Sequence, residues 1–265
     1  ANMSTPNLLL HKEPPVAWIT FNKPERRNAV SLEMWQALPD LVAQVAEDKD
    51  IRVLLLRGTG EEAFISGADI SQFGAVRSNA EVSQTYDRAS GAALASLATL
   101  EKPVVAMIHG ICFGGGCSVA VMCDLRLCSD DARFCIPAAR MSVAYPVERG
   151  VARLVPVVGA ANPTEILVTA RVYNAEEAYH MGLVNRVIPK AELESYTREY
   201  ALKIADNAPL SVSAHKFFVR EASKAANLRD MEKVREWSTR CFNSDDYKEG
   251  VAAFMEKRRP KFQGK

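Results

Sequence analysis

The stretch 109–124, HGICFGGGCSVAVMCD, constrains this chain more than any other. Three consecutive glycines, Gly114, Gly115 and Gly116, follow the apolar run VVAMI at 104–108 and precede an apolar segment of helical length at 117–123. The order reads as strand, tight glycine turn, buried helix. Glycine permits positive φ and lets a ligand touch the backbone, while the first N–H groups of a helix lack an internal acceptor and sit at the positive end of its dipole. An oxygen that carries or acquires negative charge is accommodated there. The same glycines would equally serve to let a strand and a helix pack closely.

A second stretch, AFISGADIS at 63–71, places Gly67 and Ala68 after an apolar segment and before an acid, again a turn with free N–H groups. Two such turns can aim two donors at one oxygen. Together they resemble the enoyl-CoA hydratase/isomerase (crotonase) superfamily, in which the amides of a GAD-type alanine and of the middle glycine in GGG polarise a thioester carbonyl. The resemblance assigns those donors to Ala68 and Gly115, with Ser66, Gly67, Asp69, Ile70 and Gly114 around the substrate. It continues in FNKPERRNAVS at 21–31, similar to the family's CoA-binding loop, in TARVYNAEEAYHMGLVNRVIP, and in the closing FMEKRRPKF.

The resemblance implies an α/β fold, a crotonase-like spiral of strand-strand-helix repeats holding an acyl-CoA site within 1–207. A C-terminal helical segment, 208–265, would pack against neighbouring subunits in a homotrimer or hexamer. Coenzyme A enters as part of the substrate, with no metal or redox cofactor implied. Lys23, Arg26 and Arg27 beside Asn28 suit the CoA phosphates and adenine, with Lys257 or Arg258 possible additions from a neighbouring subunit. Without the resemblance these charges read as a solvated face.

Relatives that hydrate enoyl-CoAs carry one glutamate three places after the middle glycine and a second after the next strand. Those positions correspond to Ser118 and Ala138. Serine is no base at neutral pH and alanine moves no proton. Replacements are expected in RMSVAYPVERGVAR at 140–153, where Glu148 is the sole carboxylate. Glu148 reads as a base, or as a surface partner of Arg149 or Arg153. Tyr145 is similar in position to a tyrosine of family methylmalonyl-CoA decarboxylases, and with Arg140 it could clamp a substrate carboxylate. The plainer alternative has Tyr145 packing and Arg140 facing water. Ser118 lacks the surroundings of a nucleophile, and His109, at the end of a buried strand, reads as a hydrogen-bonded core residue.

Composition narrows the functional classes. The 33 basic and 32 acidic residues leave a net charge of +1, which gives no footprint for nucleic acid or a membrane surface. The chain has no apolar run of transmembrane length and no signal pattern, and it reads as cytoplasmic. Five of the six cysteines fall between 112 and 135 without the paired short spacings of a zinc site, so buried free thiols in a reducing compartment are expected.

Periodicity supplies the elements. Two strands flank Pro14-Pro15. Ser31 is a candidate N-cap for a helix carrying Leu32, Trp35, Leu38, Leu41, Val42 and Val45 on one stripe. Strands follow at 51–57 and 104–108 and a long helix at 79–100. Beyond Pro189 the pattern is helical, at 192–207, 210–226, 230–242 and 246–258. Three functions remain open at this level: a lyase or isomerase acting through an oxyanion-stabilised enolate, a hydrolase or decarboxylase using Glu148 or Tyr145, and a non-catalytic acyl-CoA binder.

Overall fold

The computed structural model describes residues 5–69 and 80–265, with the backbone alone for 80–83, 148 and 149. Ile70, assigned above to the substrate site, and the side chain of Glu148 lie outside the described residues.

The chain opens with a hairpin, β1 (Leu8–Glu13) and β2 (Val16–Phe21), and a helix α1 (Leu32–Glu47). Ser31 caps α1 as expected, its Oγ accepting the Met34 N–H at 3.3 Å. Three successive units then have one plan. β3 (Val53–Gly58) and β4 (Ala63–Ile65) precede helix α2 (Ala80–Thr99), and β5 (Val104–Ile108) and β6 (Ile111–Phe113) precede α3 (Gly115–Met122). β7 (Leu125–Ser129) and β8 (Arg133–Cys135) lead into a short 3-10 turn (Pro137–Met141). Each unit gives its first strand to one sheet and its second to another. β3, β5 and β7 run parallel side by side, as do β4, β6 and β8. The crotonase-like spiral is the observed fold.

Helices α4 (Ala152–Val158) and α5 (Ala161–Thr169) follow, then β9 (Tyr173–Asn174), α6 (Ala175–His180) and β10 (Arg186–Ile188). β10 closes the large sheet, ordered β1-β2-β3-β5-β7-β10, and β9 closes the small one, β4-β6-β8-β9. α7 (Leu193–Ala205), α8 (Pro209–Ala222), α9 (Met231–Phe242) and α10 (Asp245–Met255) complete the chain.

Strands of a parallel sheet covered on both faces read as nearly continuous apolar runs, because alternate side chains enter different cores. Ile19, Leu54, Leu56, Ala106 and Ile108 face α1 to α3, where they meet Trp35, Leu38 and Val42. Trp18, Leu55, Val105 and Leu127 face the other way, against Leu193, Ala201 and Ala205 of α7. The helices beyond Asn207 are tied back to this body. Arg52 donates to the carbonyls of Ala205 at 2.8 Å and Phe262 at 2.5 Å, and Lys216 to that of Lys102 at 2.8 Å. Large apolar side chains nonetheless stand open on them, among them Val219, Phe242, Phe254 and Met255. Among the described residues no helix is long and apolar enough to cross a membrane.

Candidate active site

The three glycines do different jobs, and helix α3 begins among them rather than at Cys117. Gly114 is its N-cap, at φ 51° and ψ −110°, a conformation closed to other residues, and its N–H extends the β6-β8 ladder to the Cys135 carbonyl at 2.8 Å. Gly115 is the first helical residue. Gly116 packs so tightly on β4 that a Cβ there would lie 2.4 Å from the Ile65 carbonyl oxygen. The packing reading holds for Gly116, and Gly115 is left at the start of the helix with space beside it.

Gly115 lies against the second turn. A Cβ built on Gly115 would lie 3.9 Å from the Ala68 nitrogen, 3.7 Å from the Gly67 carbonyl carbon and 3.5 Å from the Trp35 ring. Among the described residues neither the Ala68 nor the Gly115 N–H has an acceptor. The turn at 66–69 is fixed by the loop before α1. Val30 donates to Gly67 O at 2.9 Å, Asp69 donates to Val30 O at 3.1 Å, and Ser66 donates from N to Arg27 O at 3.0 Å and from Oγ to Arg26 O at 3.2 Å.

The basic loop is more committed than its sequence suggests. Asn28 is fully buried. Its Nδ2 donates to the Thr59 and Ala63 carbonyls at 2.9 and 2.8 Å, and its Oδ1 accepts the Lys23 N–H at 2.9 Å. These bonds hold Arg27 and Asn28 at positive φ, 51° and 56°. The Lys23 ammonium pairs with the buried Asp69 at 2.7 Å, and Arg27 with exposed Glu62 at 2.8 Å. Arg26 stays at the surface.

On the other side of α3, Ser118 is buried and its Oγ lies 2.6 Å from the Tyr145 hydroxyl. Sequence reasoning singled out both residues but did not join them. Burial pushes the Tyr145 phenol well above its ordinary pKa, and the Ser118 hydrogen bond only partly offsets this, so the phenol stays protonated at neutral pH. The ring lies against Gly150, where a Cβ would fall 2.2 Å from Cε1. Ala138 is buried in the 3-10 turn beside Gly114. Arg140 in the same turn is exposed, and among the described residues it makes no hydrogen bond to Tyr145, whose partner is Ser118. His109 is buried as expected, yet its Nε2 has no partner among the described residues, and burial, with Lys190 nearby, lowers its pKa.

Gly150, Trp35 and Tyr86 were missed as site residues. Trp35 read only as one position of an apolar stripe, but its Nε1 donates to Tyr86 Oη at 2.8 Å beneath the glycine turn. The five cysteines at 112–135 are buried free thiols, and among the described residues no three metal-ligating side chains cluster.

Paired turns presenting two unsatisfied N–H groups, set on a spiral of strand-strand-helix units, define a crotonase-type scaffold. The model of the enoyl-CoA hydratase/isomerase family matches residues 11–265, and the chain belongs to that family. It is 32% identical over 97% of both chains to a short-chain-enoyl-CoA hydratase of Clostridium acetobutylicum. It is 33% identical to a carnitinyl-CoA dehydratase of Proteus mirabilis over 93% of this chain and 94% of the other. A crystal structure of an enoyl-CoA hydratase/carnithine racemase from Magnetospirillum magneticum superposes with a TM-score of 0.93 at 35% identity, over 100% of this chain and 98% of that one.

Proposed function

We propose that the protein processes acyl-CoA thioesters by lyase or isomerase-type chemistry, holding the thioester oxygen between the N–H groups of Ala68 and Gly115 while charge collects on it as an enolate. The observation that carries this is the approach of the Gly115 turn to Ala68, with both N–H groups lacking an acceptor among the described residues. One preorganised donor of this kind typically contributes about 3 to 4 kcal/mol to the transition state. The named activities of the relatives, on enoyl-CoA and carnitinyl-CoA, support a CoA-linked acyl group here.

The acid/base groups set the reaction. Ser118 and Ala138 stand where the resemblance places the two hydratase glutamates, and the Ser118–Tyr145 pair is neutral at physiological pH. Such a pair orients a polar acyl substituent or returns a proton, but does not strip one from water. One reading within this class is favoured by the protonated phenol: the bond from Cα to a departing carboxylate breaks, its electron pair becomes the enolate, and a proton returns to Cα as carbon dioxide leaves. A panel of acyl-CoAs followed by mass spectrometry in D2O tests the proposal. The expected result is turnover of a CoA thioester with one deuterium gained at Cα, and crotonyl-CoA hydration about 10²-fold or more below a two-glutamate relative. Ordinary hydratase turnover, unchanged in Tyr145→Phe, would overturn it. The open apolar side chains of α8 to α10 support a trimer or hexamer as the working assembly, and a monomeric mass by light scattering at micromolar concentration would count against that.

A further inference from the structure

At the far end of α3 from the glycine turn, positive charge is in excess. Asp124 follows that helix and accepts the Val104 N–H at 2.8 Å. Lys216 and Arg220 of α8 approach the same carboxylate at 2.7 and 3.2 Å. Arg153 of α4 adds a third cation, and among the described residues it makes no hydrogen bond or ion pair at all. The Nε atoms of Arg153 and Arg220 are both buried without a partner. Two cations thus share one carboxylate and a third stands near them without an ion pair, in a place where water does not fully screen them.

Burial, with a smaller contribution from the Arg220 charge, disfavours the protonated forms of Lys216 and Arg153. Burial pulls the Lys216 ammonium down to about 8, with Arg220 adding to the shift and Asp124 opposing it. Arg153 is lowered by burial and then by Arg220. Among the other charges lining the cavity, Glu221 is taken by Lys224 at 2.6 Å, and the exposed Glu101 offsets Lys233, a further cation seated over the Phe217 ring, so the surplus of the three cations over Asp124 stands. Arg126 belongs to a different arrangement, its guanidinium donating to the Ala120, Cys123 and Leu183 carbonyls at the end of α3.

Arg153, Lys216 and Arg220 line a cavity of about 410 Å³ between α2, α4, α8 and α9. We infer that this cavity is a binding site for a small phosphate-type oxyanion, held by Arg153, Arg220 and Lys216. A phosphate carries about −1.5 to −2 charges at neutral pH, which matches the local surplus, and a planar guanidinium presents its donors to such oxygens in pairs. The site lies at the C-terminal end of α3, whereas Gly115 is its first residue, a helix of eight residues or about 12 Å away. Occupancy would bind α4 and α8 to the end of α3.

The purified full-length protein, in a buffer free of oxyanions, is titrated with inorganic phosphate and in parallel with a small phosphomonoester, against chloride at matched ionic strength. The melting temperature and calorimetric binding are read together. The inference expects a saturable rise in melting temperature with at least one of the two, and the tighter ligand identifies the source of the phosphate group. In Arg153→Gln, which removes no hydrogen bond of the described fold, binding should weaken about tenfold or more with the melting temperature in chloride little changed. Equal responses to phosphate and chloride would overturn the inference. So would undiminished phosphate binding in Arg153→Gln, or loss of phosphate binding once a CoA thioester saturates the protein. A change in oligomeric mass in Arg153→Gln without phosphate binding to the parent protein would assign the surplus charge to a second copy of the chain and equally refute it.

Discussion

The two halves of the candidate site are built from different material. On one side, the turns at 66–69 and 114–116 offer backbone N–H groups, fixed by main-chain hydrogen bonds to Val30 and Cys135. On the other, the segment 137–151 offers side chains, and among the described residues its side-chain hydrogen bond to α3 is a hydroxyl pair, Ser118 with Tyr145. Backbone donors depend on local conformation that only certain residues allow, so their position is written into glycine. Side-chain pairs depend on which surfaces meet after folding. Under the proposed function, the first half would be general to many reactions and the second would decide which reaction occurs.

The strongest test of the first half is Gly115→Pro. Gly115 is the first residue of α3, a position where proline is tolerated because no helical hydrogen bond is lost. The variant should fold and lose about 10²- to 10³-fold in turnover, with acyl-CoA affinity much less affected, since the donor matters most when charge develops. Calorimetric binding set beside single-turnover rates measures the split, and equal losses in both would reduce the turn to a binding element. Gly114→Ala is no neutral control, because φ 51° with ψ −110° is closed to alanine.

The second half is tested by Gly150→Ala, which touches no substrate group. Its Cβ would overlap the Tyr145 ring at 2.2 Å, so the phenol must leave Ser118. Turnover should fall about tenfold or more, matching Tyr145→Phe, while circular dichroism stays near that of the parent. A large loss in Gly150→Ala beside full activity in Tyr145→Phe would show that the backbone of 147–151, and not the hydroxyl, is what counts.

What could be read in the sequence divides along the same line. The strands, the spiral order and the Ser31 cap were legible, because apolar runs, helical stripes and capping residues are local signals with a local cause. The paired turns were legible only through the family resemblance, since a run of three glycines reads equally as a packing device, the use Gly116 has. The Ser118–Tyr145 pair was not, since 27 residues separate its members and neither type is unusual where it stands. Asn28 illustrates the opposite error. Beside Arg26 and Arg27 it reads as a ligand-binding residue, yet all its polar atoms hold the backbone at positive φ, which no composition of the loop reveals. Gly150 gave no signal either, because a lone glycine in a polar stretch has many explanations.

The thiols around α3 and the lysine at its far end respond oppositely to alkali. Buried thiols surround α3, and burial raises Cys123 and Cys128 from an ordinary value of 9.0 to about 12, with Cys112 and Cys135 raised as well. A thiol that keeps its proton longer in the folded state contributes stability that is whole below pH 9 and is lost as pH rises toward 12. Lys216 acts oppositely. Its value is lowered from 10.5 to about 8, so the folded state sheds that strain between those limits and gains stability as pH rises. More thiols than lysines titrate in this window, so urea midpoints under reducing conditions should fall from about pH 9 upward, by roughly 1.4 kcal/mol per pH unit for each uncompensated thiol. Cys123→Ala should flatten that slope. A midpoint unchanged up to about pH 11 would mean the thiols are not held as tightly as the packing around α3 implies.

The smallest effect is expected from Ser118→Ala, and it asks whether the two halves are coupled at all. Ser118 sits on α3, three residues after Gly115, and reaches Tyr145 across the boundary between them. Removing its hydroxyl leaves the phenol without that partner, which should lower stability by about 1 to 2 kcal/mol, the penalty of an unmet buried donor less the little strain relieved. The phenol should also become harder to ionise, because Ser118 is the one neighbour lowering its pKa against burial and the Cys112 and Cys117 thiols. Ultraviolet titration of tyrosinate reads that shift directly, by difference from Tyr145→Phe. In the double variant Ser118→Ala with Tyr145→Phe both hydroxyls are gone, so the stability loss should be smaller than the sum of the two single losses. Strict additivity would mean that the 2.6 Å contact carries no coupling, and the acyl end of the site would then have to be held by packing on Gly150 alone.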